Sequence, residues 1–154
     1  MKIIEIPVIG RTNNDKEKLY TLLSEQPLRN FEGFNFGLLK LDEDYSFYFY
    51  FLSQEAKSHY HVWDIVIPHA AGCLLILDWN DLASVEENFK TIEYLEKRFS
   101  TPLHICSLPT ENELPENLIK EELELGENRF LYTFNPNDKA SAKEILNGFL
   151  DTVA

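Results

Sequence analysis

Basic charge is what this chain has least of. Its 14 lysines and arginines face 26 aspartates and glutamates, a net charge of −12 over 154 residues. Such a field repels nucleic acid and anionic membrane surfaces. It also disfavours a nucleotide, unless a local basic pocket overrides it. Cysteine is scarce too. Cys73 and Cys106 lack Cys-x-x-Cys spacing and each falls in an apolar strand pattern, so they read as reduced core thiols and not as a disulfide or redox pair. No run of about 18 apolar residues occurs that would span a bilayer as a helix. The amino terminus reads as a strand and not as a secretory leader, so the expected location is the cytoplasm. Repeats and low-complexity segments are missing as well.

What is present is a globular composition, 44% hydrophobic, 13% aromatic and 26% charged. At this length residues 1–154 are expected to form one domain whose core needs neither disulfide nor metal. Residues 2–9 form a near-continuous apolar run, the mark of a strand buried on both faces of a parallel sheet. A helical pattern follows through Leu19, Leu22 and Leu23, with Asn13 or Asn14 as cap and an end near Ser24, ahead of Pro27. Residues 31–41 and 45–52 read as two strands joined by the acidic turn Asp42-Glu43-Asp44, a hairpin. Residues 53–67 start polar and lead into a short helix stopped before Pro68, a segment expected to be mobile.

Residues 70–77 are another buried strand. Leu82, Val85, Phe89, Ile92, Leu95 and Phe99 then recur at spacings of three and four, the stripe of an amphipathic helix, with Ser84 and Glu87 as a capping box or Asp81 as a competing cap. A strand over 102–108, a loop over 110–115, and an acidic helix over 116–125 closed by Gly126 come next. A last strand at 130–134, the turn Asn135-Pro136-Asn137 and a final helix complete the chain. That helix carries an apolar face from Ala142 to Val153, and Ser141 and Glu144 are spaced as a capping box. The fold class is α/β, a three-layer sandwich of the P-loop NTPase type. About six strands are expected, mostly parallel with one antiparallel edge hairpin.

The stretch Gly10-Arg-Thr-Asn-Asn-Asp-Lys-Glu17, between first strand and first helix, has the setting of a phosphate-binding loop. Against the pattern G-x-x-x-x-G-K-S/T, Gly10 holds the first glycine and Lys16 the lysine. Asp15 replaces the second glycine, and Glu17 replaces the hydroxyl that would bind magnesium. The second glycine lets backbone amides approach phosphate oxygens closely. A carboxylate about 4 Å from a phosphate charge instead costs on the order of 4 kcal/mol at an effective dielectric near 20. The frame of the loop survives without its chemistry.

The order of elements, with this frame after the first strand, resembles the Ras-like small GTPases. The stretch His61-Val-Trp-Asp-Ile-Val-Ile-Pro-His-Ala-Ala-Gly-Cys-Leu-Leu-Ile-Leu-Asp78 is similar to the bacterial and archaeal gliding-motility branch, from the second switch helix through the fourth strand. The resemblance implies a nucleotide-contacting glycine near Glu55, but Ser53, Gln54, Glu55 and Ala56 stand there. It also implies an Asn-Lys-x-Asp motif to read guanine, where this chain has Ser107-Leu108-Pro109-Thr110. The expectation is a degenerate small-GTPase-like domain that works by binding another protein. No cofactor and no hydrolase activity are expected, and no nucleic acid or membrane partner. The resemblance implies a regulator of the roadblock type as partner. The alternative is an atypical switch binding GTP or ATP with magnesium through the loop of Gly10, Asn13, Asn14, Asp15, Lys16 and Glu17.

Other features have plain readings beside functional ones. Lys16 is a phosphate contact or an ordinary surface lysine. His59, His61 and His69, with Glu55, are metal ligands or a polar segment. Cys106 with His104 is a nucleophile and base, or sheet core. In Phe47-Tyr-Phe-Tyr-Phe51 alternation puts three Phe on one face and two Tyr on the other, which suits a strand covered on both sides. The functional alternative there is that strand 34–41 is an exposed edge where a partner adds or packs.

Overall fold

The sheet is built outward from its first strand. In the computed structural model, which describes residues 2–10, 13–31, 34–53, 60–109 and 129–153, β1 (Lys2–Gly10) lies between β4 (Tyr45–Ser53) and β5 (Cys73–Leu77). It pairs in parallel with β4 along its whole length, Lys2↔Tyr45 to Gly10↔Ser53. With β5 it pairs only at Val8↔Leu74 and Ile9↔Leu75. Parallel additions of β6 (Leu103–Ser107) and β7 (Arg129–Thr133) complete one wing. The other wing is antiparallel, β2 (Arg29–Phe31) on β3 (Phe34–Lys40) on β4. The order is β2-β3-β4-β1-β5-β6-β7, seven strands.

The additional strand is β2, which takes Phe31 from the span 31–41, expected to be one strand, and adds Arg29 and Asn30 ahead of it. Phe31 pairs with Phe34 and Arg29 with Phe36, so β2 runs antiparallel beside β3. β3 is therefore not the edge; β2 covers it. The expected turn at 42–44 is there, closed by Asp42 Oδ1 accepting from the backbone N–H groups of Asp44 (2.7 Å) and Tyr45 (2.8 Å).

Helices cover both faces. α1 (Asn13–Leu23) and α4 (Lys139–Val153) share one side, where Leu19, Tyr20, Ile145 and Phe149 pack on Phe47, Phe49 and Phe51. On the other side α2 (Tyr60–Val66), a tight helical turn over Ile67–His69 and α3 (Leu82–Arg98) bury Val62, Trp63, Ile92 and Leu95 against β5 and β6. Pro68 opens the tight turn, where its missing N–H costs nothing.

One cap differs from expectation, and at the other the second of two expected caps is the one used. α4 starts at Lys139, because Asp138 Oδ1 accepts from Ala140 N at 2.9 Å, while Ser141 Oγ donates back to Asp138 O at 2.8 Å. α3 starts at Leu82, which puts Asp81 and not Ser84 in the cap position. The expected helix at 116–125 and loop at 110–115 lie outside the described residues.

Candidate functional site

In an open α/β sheet the natural ligand crevice lies at the carboxyl ends of the strands, where the order reverses. Here that point is the end of β1, and α1 starts beside it. Gly10 closes β1, and a Cβ there would meet Lys16 Cγ at 2.9 Å and Ile76 Cβ at 3.3 Å. The glycine is thus the gap through which the Lys16 stem passes. Lys16, in the second turn's approach to the core, is only 1% exposed. Its ammonium crosses the end of β1 and donates to Leu52 O of β4 at 2.7 Å, a buried bond. It is neither a surface lysine nor an ammonium presented to solvent. Its spacing to buried Leu19 and Tyr20, i+3 and i+4, is the signal that places it on the inner face of α1.

Glu17 is also engaged, accepting from Asn35 Nδ2 of β3 at 2.5 Å. One turn on, the Tyr20 hydroxyl donates to Leu38 O at 3.2 Å and accepts from Ser24 Oγ at 3.2 Å. Its ring lies on Gly37, where a Cβ would come within 2.6 Å of Tyr20 Cε1. Lys16, Glu17 and Tyr20 therefore tie three positions of α1 to β3 and β4. Asn13, Asn14 and Asp15 are the first three positions of α1; their side chains lie outside what the structure describes. Ser53 ends β4, and Gln54, Glu55 and Ala56 lie outside the described residues. Beyond β6, where the family resemblance implies a base-reading motif, Leu108 N donates to Leu77 O at 2.9 Å and Asn80 Nδ2 to Pro109 O at 2.9 Å.

The other candidates separate. His104 and Cys106 share a face of β6 but both are fully buried. Burial pushes the Cys106 thiol well above its ordinary range and the Cys73 thiol up to about 12, so neither is a thiolate nucleophile at neutral pH. His104 stacks on Phe130 and tilts on Phe149, with ring centroids 4.7 and 4.6 Å apart. Its Nδ1 is hydrogen-bonded to the Tyr132 hydroxyl at 3.0 Å. Nε2 has no partner among the described residues, and burial pushes the imidazole down to about 4. His69 is exposed. Among the described residues no group of three or more His, Cys, Asp or Glu is placed to hold a metal; Glu55 and His59 lie outside them.

The Trp63-Asp64 pair proves to be an anchor. Trp63 is buried edge-on against Tyr94 of α3, centroids 6.0 Å apart. Asp64 takes a two-toothed bond from Arg98, Nε to Oδ1 at 2.6 Å and Nη2 to Oδ2 at 2.8 Å. Thr101 Oγ1 adds a bond to Ile67 O at 3.1 Å. α2 is thereby held against the end of α3 by one apolar and one charged contact.

A seven-stranded sheet with this order, helices on both faces and a lysine loop at the end of the central strand is the fold of the small GTPases. The chain superposes on the nucleotide-analogue-bound Arl6 (BBS3) small GTPase of Trypanosoma brucei with a TM-score of 0.77 at 12% identity, covering 98% of this chain and 97% of that one. It superposes on the G domain of the T. maritima FeoB iron transporter with a TM-score of 0.71 at 12% identity, covering 99% and 100%. No protein-family model and no curated protein sequence matches the chain. No helix among the described residues is long and apolar enough to cross a membrane.

Proposed function

We propose that this chain is a degenerate small-GTPase-like domain that acts by binding another protein and not by hydrolysing nucleotide. The observation that carries the reading is the burial of Lys16, a residue only 1% exposed whose ammonium is bonded to Leu52 O. A phosphate-binding lysine has to offer its charge to the ligand; this one is enclosed by its own fold. Glu17, in the place of the magnesium-binding hydroxyl, is committed to Asn35, and Asp15 replaces the loop glycine. Likeness of residues 61–78 to the gliding-motility branch favours a small regulator of the roadblock type as partner and a cytoplasmic setting. The competing reading, an atypical switch for GTP or ATP with magnesium, requires Lys16 to leave Leu52 O and the loop carboxylates to face phosphate.

Thermal unfolding with and without millimolar GTP or ATP and magnesium separates the two. A ligand at a hundred times its dissociation constant stabilises by about 2.7 kcal/mol, a rise of roughly 5–10 °C for a chain of this size. No rise is expected. A rise of several degrees with either nucleotide would establish the switch reading and sink this one.

A further inference from the structure

Among the described residues, part of the sheet is covered on one side only. The Phe47, Phe49 and Phe51 side is closed by α1 and α4. The reverse side of β1, β4 and β3 is open away from α2, and on it Ile3 is 49% and Leu38 40% exposed. Glu5, Tyr48, Tyr50 and Phe36, on the same side, are half-buried. Among the described residues this surface carries one carboxylate, with exposed Lys40 on the same side at the end of β3. Glu5 of β1 is the register partner of Tyr48, and its Oε1 accepts from the Tyr50 hydroxyl at 2.9 Å. Phe36 of β3 meets Tyr48 at 5.3 Å and 77° and Tyr50 at 5.4 Å and 65°, so the rings form a corner beside the carboxylate. Oε2 of Glu5 has no partner among the described residues.

We infer that this open face receives a lysine or arginine side chain of a protein partner, its cationic head set between Glu5 and the rings of Tyr48 and Phe36. The inference rests on the partner-binding reading and names the partner's chemistry. A carboxylate gives the cation a charge-assisted hydrogen bond, ring faces attract it through their quadrupoles, and Leu38 and Ile3 accept its apolar stem and neighbours. The net charge of −12 steers a basic partner toward the chain and repels a second copy of it.

The probe is an amphipathic peptide of about 15 residues, four helical turns, with a leucine face and one central arginine on that face. One comparator has glutamine in its place; another carries the arginine on the opposite face, at equal net charge. In an NMR titration without nucleotide, the first peptide shifts the backbone amides of Glu5, Phe36, Leu38 and Tyr48, and both comparators bind about tenfold more weakly or worse. Glu5→Gln, whose amide oxygen still accepts from Tyr50, lowers affinity for the arginine peptide about tenfold and leaves the melting temperature unchanged. Equal binding by either comparator, no loss in Glu5→Gln, or no shifts at these residues each overturns the inference. So does sedimentation as a dimer that Leu38→Glu dissolves, since the occupant is then a second copy. Stabilisation by nucleotide would instead sink the reading of the cleft, which the peptide titration does not involve.

Discussion

Replacing Lys16 by alanine tests whether the cleft is sealed by its own lysine. The change deletes three buried methylenes, about 0.8 kcal/mol each, and a hydrogen bond from a charged donor, about 1.5–3 kcal/mol. Relief of the buried ammonium's desolvation offsets part of this. The expected net loss is about 3 kcal/mol, or roughly 6–12 °C in melting temperature for a chain of this size. Lys16→Met keeps the stem that threads past Gly10 and loses the ammonium with its hydrogen bonding, the bond to Leu52 O included, so a smaller loss of about 1.5 kcal/mol is expected. The assay is ligand-free thermal and urea unfolding of wild type, Lys16→Ala and Lys16→Met. An ammonium held ready in an open cleft gains little from the fold, and its removal from ligand-free protein would be neutral or stabilising. Two variants as stable as wild type would therefore refute the reasoning, and with it the structural role of Lys16.

Two further outcomes follow from the packing. His104 is held at about 4 in the fold against an ordinary 6.5, so between these values the unfolded chain binds the extra proton; stability falls as pH drops through that window, by about 3 kcal/mol when complete. In urea titrations across pH 4–7, His104→Phe should remove that component of the slope, and an unchanged slope would locate the titration elsewhere. Gly37→Ala drives a Cβ to 2.6 Å from the Tyr20 ring and is expected to cost about 1–3 kcal/mol; Tyr20→Leu in the same chain should recover part of it, and additive losses would deny the contact.

Much of the architecture was legible because it depends on local periodicity. The apolar run of β1 predicts its central place, alternation in β4 separates three Phe from two Tyr, and the stripe of α3 predicts its buried face. The departures Asp15 and Glu17 are likewise plain from the sequence, since a phosphate loop is a contiguous motif. β2 was missed because three exposed residues, Arg29, Asn30 and Phe31, have no face to alternate.

Pairings between distant positions were decided by tertiary structure alone. Lys16 reaches a carbonyl 36 residues away, Tyr50 a carboxylate 45 away, and His104 a hydroxyl 28 away. No local pattern encodes these contacts, because each follows from which strands become neighbours and at what register. The sequence by itself determined that Asp15 and Glu17 stand where the phosphate-loop pattern has a glycine and a hydroxyl. Only the assembled sheet, by placing the end of β4 beside that of β1, gave Lys16 an internal acceptor, and only the hairpin wing gathered Glu5 and three aromatic rings into one surface.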